Sequence, residues 1–192
     1  LSPYIRFWVF SIRQIFNIAK NISPDFVKEL AWRDFWHHIN YYFPQTKNLE
    51  FQESKRHIKW NYDKDLFEKW TTAKTGYPIV DASMLELLET NWMNWRSRMI
   101  VASFLTKDLL IDWRLWEAFF KKHLLDYDET LNFWNWQWSA SVWADPKPLR
   151  IFSPILQSEK FDKNSIFVKK YLPKLEKYSP NEIHNPILNT LD

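Results

Sequence analysis

An all-α domain is the fold class this sequence predicts, on three observations. Apolar residues recur at helical spacing through almost all of the 192 residues. No stretch sustains the strict alternation of a half-buried strand. Helix start and stop signals bracket several of the periodic segments. In order, Ser11 to Lys20 reads as a short helix. Ser23-Pro24-Asp25 is a helix start, with Ser23 as cap and Pro24 in the first turn. That helix runs to about Tyr42, where Phe43-Pro44 ends it. Lys47 to His57 is polar and reads as a loop. Asp63 to Thr72 is a helix, and Lys74-Thr75-Gly76-Tyr77-Pro78 is a turn. Helices follow over Asp81 to Glu89, Asn91 to Leu105 and Ile111 to His123. A loop-rich stretch is expected from Asp126 to Pro154. Ser165 to Tyr171 is the final short helix, before a polar tail after Pro173. No internal repeat or low-complexity segment interrupts this single domain.

Composition narrows the function classes. Hydrophobic residues make up 46% and charged residues 26%, which is ordinary for a soluble globular chain. No run approaches the roughly 18 apolar residues of a membrane span, and Leu1 opens no signal-peptide pattern. The chain begins without Met and in mid-motif, so it reads as a fragment. It has no cysteine, which excludes disulfides and thiolate metal sites and is compatible with a cytoplasmic protein. A monomer without membrane contact is expected. The formal charge of +3 is a weak pointer to nucleic acid. One ratio is abnormal: 1 Gly against 13 Trp, where glycine is usually about 7% of residues.

Several clusters combine aromatic and charged residues. Helical spacing puts Glu29, Trp32, Arg33 and Trp36 on one broad face. That set either stacks on a base and reads its edge, or is a core Trp beside a surface Glu29–Arg33 pair. Trp60, Trp113 and Trp136 are far apart in sequence and nothing local joins them. Arg96, Arg98 and Asp108 flank the apolar run from Met99 to Leu105, either as a structural salt bridge or around a ligand. Asp126 and Asp128 lead into Asn132 and Trp136-Gln137-Trp138, as a solvated turn or as groups for a metal or polar cofactor. The five histidines show no HExxH spacing, so metal catalysis is not expected. No phosphate-cradling glycine loop or GxSxG elbow is present.

Six blocks resemble the photolyase/cryptochrome family, in the family's order and spacing. They are Leu1-Ser2-Pro3-Tyr4, Glu29-Leu30-Ala31-Trp32-Arg33, Lys74-Thr75-Gly76-Tyr77-Pro78-Ile79-Val80-Asp81-Ala82, the run Arg98 to Arg114, Asn135-Trp136-Gln137-Trp138-Ser139-Ala140-Ser141 and Arg150-Ile151-Phe152-Ser153-Pro154. The resemblance covers nearly the whole chain. It implies the helical FAD-binding domain, truncated at its N-terminus and lacking the α/β antenna domain, whose folate or deazaflavin chromophore is expected only there. The Met99 to Arg114 run and Trp138 resemble class I cyclobutane-pyrimidine-dimer photolyases, which use reduced FAD and light to repair damaged DNA. Cryptochromes share the fold, so a blue-light photosensor or a flavin-free relic is the alternative.

The resemblance also implies roles. Trp60, Trp113 and Trp136 match the chain that passes an electron to excited flavin. Asp126 and Asp128 match acids around the flavin and its sugar, and Asn132 the residue facing flavin N5. Arg98 with Asp108 matches the ion pair beside the flavin ring, and Tyr4 belongs to the cofactor set. Glu29, Trp32, Met99 and Trp138 match the pocket for the flipped dimer. Arg33, Arg96 and Gln157 match DNA contacts. Where the family has glycine, or has it in some members, this chain has Trp8, Trp95, Trp116, Trp134 and Trp143. Overpacking costs about 1–3 kcal/mol per site, so five sites cost roughly 5–15 kcal/mol, as much as a whole domain's stability. Poor folding or a plugged pocket is therefore expected. Two origins account for the pattern: a UGA codon that the source reads as glycine, or true Gly→Trp exchange.

Overall fold

The computed structural model describes residues 1–145 and 150–186, and among them the regular structure is helical. Ser2–Arg6 (α1) is followed by Ile12–Ala19 (α2), whose Ser11 and Gln14 form a reciprocal capping box. Pro24–Tyr42 (α3) starts as expected, Ser23 accepting the Phe26 N–H and Pro24 filling the first turn. Lys64–Thr71 (α4) is capped by Asp63. Pro78–Thr90 (α5) ends at Asn91 with φ 55°, a left-handed cap that asparagine tolerates. Trp95–Ser103 (α6) is capped by Asn94 and runs into a wide turn, Phe104–Asp108, closed by Leu109 N–H on Phe104 O at 3.1 Å. Trp113–His123 (α7) and Glu129–Ser139 (α8) follow, then Pro154–Phe161 (α9), Ile166–Tyr171 (α10) and Pro180–His184 (α11).

Two helices organise the packing. α5 is buried from Pro78 to Leu87 on nearly every side and touches α4, α6, α9, α10 and α11. α8 packs against α3, α6 and α7. The expected loop from Asp126 to Pro154 is thus corrected over 129–139. Asp128 is not a solvated turn residue but the α8 cap, accepting the Leu131 N–H at 3.1 Å. The helix escaped notice because Phe133, Trp134, Trp136 and Gln137 are all buried, so no single apolar stripe marks it. α9 was likewise unforeseen, and α11 lies in the expected polar tail. Residues 146–149 of the expected loop, and the tail from 187 on, fall outside the described residues. Asn61 pairs with Ile111 in a single parallel bridge, its N–H on Leu110 O at 2.7 Å, which sets the Trp60 segment beside the start of α7. Among the described residues no helix is long and apolar enough to cross a membrane.

The five unusual tryptophans divide by position. Trp8 is 83% exposed with φ 60°, a backbone state that costs an L-residue with a side chain about 1–2 kcal/mol and glycine almost nothing. Trp95 opens α6 and is half exposed. Trp116, Trp134 and Trp143 are buried. Trp116 lies 3.8 Å from Trp70 and 4.4 Å from Trp136 between ring centroids, and Trp143 lies 4.1 Å from Phe51. Aromatic pairs usually sit about 4.5–7 Å apart, so these rings are compressed. The Nε1 groups of Trp116 and Trp134 are buried without a partner, which costs about 1–3 kcal/mol each.

Trp8→Gly should therefore stabilise the chain by about 1–2 kcal/mol in denaturant unfolding, because almost no burial is lost. At the gene, positions 8, 95, 116, 134 and 143 should carry UGA; UGG there would establish the tryptophans as true residues.

Candidate functional site

α6 and the segment before α8 meet in a charged knot. Arg98 donates from one guanidinium nitrogen to both Asp126 oxygens at 2.8 Å, and from Nε to Met93 O at 2.7 Å. Asp126 is 9% exposed, so the pair is largely shielded and therefore directional. Ser2 Oγ donates to Asp126 Oδ2 at 2.5 Å and receives Trp92 Nε1–H at 3.3 Å, tying α1 to the knot. The expected Arg98–Asp108 pair is thus corrected: the partner is Asp126. Asp108 ends the wide turn, exposed, with Lys107 as its charged neighbour, because the wide turn carries the chain away from the Arg98 face. Tyr4 stands on the same short helix as Ser2, 56% exposed.

Beyond the knot, α8 faces α3. Asn40 Nδ2 donates to Thr130 Oγ1 at 3.2 Å, and Asp128 Oδ2 lies 3.4 Å from His37 Nε2. One turn on, Asn132 Oδ1 accepts Trp136 Nε1–H at 2.9 Å while its Nδ2 is buried with no partner. Asn40 Oδ1 is buried and unpartnered too. Buried amides rarely go unsatisfied without a reason, so the α3–α8 interface keeps polar groups in reserve. Beside it the rings crowd. Trp36 on α3 stacks on Trp134 at 5.8 Å and meets Trp143 at 5.0 Å. These indoles fill the room between the two helices.

The remaining expected residues separate into three places. Glu29 and Trp32 stand exposed on α3, Trp32 leaning on Trp36 at 6.0 Å. Arg33 pairs with its neighbour Asp34 at 3.3 Å, not with Glu29 as the surface-pair reading has it. At the α6–α9 contact, Arg96 reaches Met99 Sδ at 3.9 Å and lies 4.1 Å above the Phe161 ring. Gln157 on α9 keeps a buried, unpartnered Oε1. Trp138 is half buried against Phe152, with the Arg150 guanidinium 5.6 Å from its ring centre. The third place holds Trp60 and Trp113, whose Nε1–H groups both point at Glu50 Oε1, at 3.1 and 3.4 Å. Trp136 has Trp116 and Phe120 as its ring contacts. Sequence reasoning did not single out Ser2, His37, Asn40 or Glu50. Ser2 sat inside a recognised block, while the other three carried no spacing signal.

Residues 26–192 match the family described as the FAD binding domain of DNA photolyase. The chain belongs to that family. It is 46% identical to the deoxyribodipyrimidine photo-lyase of Alkalihalophilus pseudofirmus over 97% of this chain and 40% of that protein, and 45% identical to its Synechococcus counterpart over 95% and 40%. Among solved structures, an archaeal photolyase from Sulfolobus tokodaii with two FAD molecules superposes with TM-score 0.95 and 39% identity, covering 100% of this chain and 44% of that one. A Synechocystis cryptochrome superposes with TM-score 0.92 and 33% identity, covering 98% and 41%. The chain thus spans about two fifths of the length of these relatives. The polar side chains fit the family's flavin cofactor, Asn132 Nδ2 and Asn40 Oδ1 being buried without partners, whereas Trp134 and Trp143 crowd Trp36 beside them.

Lys107 adds a titrating group. Burial lowers its amine to about 8, from an ordinary 10.5, while it donates to Ser141 Oγ at 2.5 Å. The folded-state pKa lies below the unfolded one, so the unfolded chain binds more protons between them. Stability should therefore rise from about pH 8 to 10.5 relative to a Lys107→Met variant, as read by unfolding at stepped pH. At the α3–α8 interface, the double change Trp134→Gly and Trp143→Gly should tighten FAD binding by about tenfold or more, equivalent to relieving one overpacked site, as read by quenching of flavin fluorescence.

Proposed function

We propose that the protein carrying this chain repairs cyclobutane pyrimidine dimers in DNA, using light and reduced FAD. The observation that carries the reading is Asn132: its amide oxygen is held by Trp136 and its buried amide nitrogen is left over. When bound, reduced and excited FAD supplies the electron that opens the dimer.

The chain's own part is to bind, orient and desolvate. Arg98, braced by Asp126 and Met93 O, presents a fixed positive charge to an electron-rich ring. Asn132 offers its free N–H, and Asp128, held at the start of α8, is placed for a sugar hydroxyl. Tyr4 extends the cofactor set from α1. On the DNA side, Trp32 and Trp138 offer ring faces for stacking, Met99 a soft apolar wall, and Glu29 a carboxyl group for the edge of a flipped base. Flipping is less costly for a dimer than for an intact pair because damaged bases stack poorly. Arg33, Arg96 and Gln157 supply backbone contacts that position the strand without reading it. Trp60, Trp113 and Trp136 form the route by which oxidised cofactor is returned to its reduced state.

A second reading, a blue-light photosensor, is favoured by the likeness to the Synechocystis cryptochrome. A flavin-free relic is favoured by the ring-filled α3–α8 interface. One assay separates the three. With glycine at positions 8, 95, 116, 134 and 143, the full-length protein should clear thymine dimers from an oligonucleotide only under light. Glu29→Gln should lower the yield per photon severalfold. A protein that binds FAD but repairs nothing would instead be a sensor, and one that takes up no FAD would be the relic.

A further inference from the structure

Glu50 is 3% exposed. Its Oε1 accepts Trp60 Nε1–H at 3.1 Å, Trp113 Nε1–H at 3.4 Å and an Arg114 guanidinium N–H at 2.9 Å. Burial pushes its carboxyl up, but its backbone hydrogen bond, the Trp60 N–H and Arg114 outweigh that and hold it below the usual range. It is therefore ionised at neutral pH. Arg114 also binds both Asp112 oxygens, at 3.0 and 3.1 Å. Two carboxylates thus share the Arg114 guanidinium beside two indoles, and Arg56 adds a second positive charge, its Nε donating to Glu50 O at 3.1 Å. The Arg114 pair accounts for the charge of the carboxylate, but it does not require that two indole N–H groups converge on the same oxygen.

We propose that Glu50 is a positioning residue for the electron route through Trp60 and Trp113, its charge stabilising whichever indole has lost an electron. This rests on the route assigned above. On that route, Trp136 would lose one electron to photoexcited oxidised flavin, when bound, and would be refilled from Trp113 and that in turn from Trp60; the deficit would end on Trp60, where a one-electron reductant of the thiol class refills it. No bond breaks, and both indole protons stay on nitrogen. An oxidised indole is a far stronger donor than a neutral one, so each N–H···Oε1 bond tightens as charge develops. Arg114 sets the direction. Its guanidinium lies 4.7 Å from the Trp113 ring centre and opposes positive charge there, whereas Trp60 has no guanidinium over its ring and is closer to Oε1. The deficit therefore moves outward, from the fully buried Trp113 to the half-buried Trp60.

The test follows tryptophan radicals by transient absorption after a flash, in the FAD-loaded protein with a thiol donor. Glu50→Gln keeps size and acceptor oxygen but removes the charge. It should shorten the lifetime of the charge-separated state about tenfold or more, and Glu50→Asp should fall between it and the parent. In flavin-free protein oxidised by azide radicals, Glu50→Gln should move the deficit from tryptophan cation towards deprotonated radical. Should the glutamine variant fail to fold, the aspartate variant decides, since an unchanged lifetime overturns the proposal. Trp113→Phe keeps the two readings apart. If it blocks radical formation while Glu50→Gln changes nothing, the route stands and the role of Glu50 falls. If Trp113→Phe behaves as the parent, the route falls and Glu50 with it.

Discussion

Burial of α8 on three sides is the constraint on which the rest of the structure depends. Its contacts with α3, α6 and α7 bury Thr130, Phe133, Trp134, Trp136, Gln137 and Ser139 and leave Leu131, Asn132, Asn135 and Trp138 only half-buried. Each hydrogen-bonding atom buried along it must find a partner inside the protein or a ligand. Gln137 does so completely, donating to Thr46 O and Leu49 O and accepting the Phe51 N–H. Asn132 does so by half. The contrast between the two amides on one helix is between a fully satisfied structural residue and the one proposed above for the cofactor.

The same burial explains why tryptophans on and near α8 matter more than those elsewhere. A ring added at Trp8 meets water and strains only its own backbone. A ring added at Trp134 must displace something, and it occupies the space between α3 and α8 in stacked contact with Trp36. Close-packed interiors have few voids larger than a water molecule, so the cofactor site proposed here and these indoles would compete for one volume. Trp116 carries the crowding towards the relay, pressing on Trp70 and Trp136 together.

At two places buried charge is handled by a shared arginine. Arg98 is shared by Asp126 and a backbone carbonyl, and Arg114 by Glu50 and Asp112. In both knots a guanidinium fork meets more than one acceptor, the geometry for which arginine is suited. One knot lies in the proposed cofactor set and the other beside Trp60 and Trp113. Fixed charge is thereby held near both places where the proposed chemistry moves an electron.

Much of this was determined by sequence alone. The cap at Ser23, the helix starts at Ser11 and Asp63, the Lys74 to Pro78 turn and the 3.6-residue rhythm of α2 to α7 are local properties, set by hydrogen bonds within a few residues. The family blocks were equally legible because each is a continuous run. What only the tertiary structure decided was which distant groups meet. Periodicity reports how much of a helix is apolar, but not which neighbour covers it, and in α8 the buried set mixes Thr130, Gln137 and Ser139 with Phe133, Trp134 and Trp136, so polar and apolar residues do not sort onto separate faces. Nor does spacing say that Arg98 turns to Asp126 rather than Asp108, because the wide turn after Ser103 swings the nearer acid away. Glu50 looked like any loop acid until the Asn61–Ile111 bridge brought Trp60 and Trp113 to its one oxygen. Contacts of that kind depend on where the backbone goes, and no local signal carries that information.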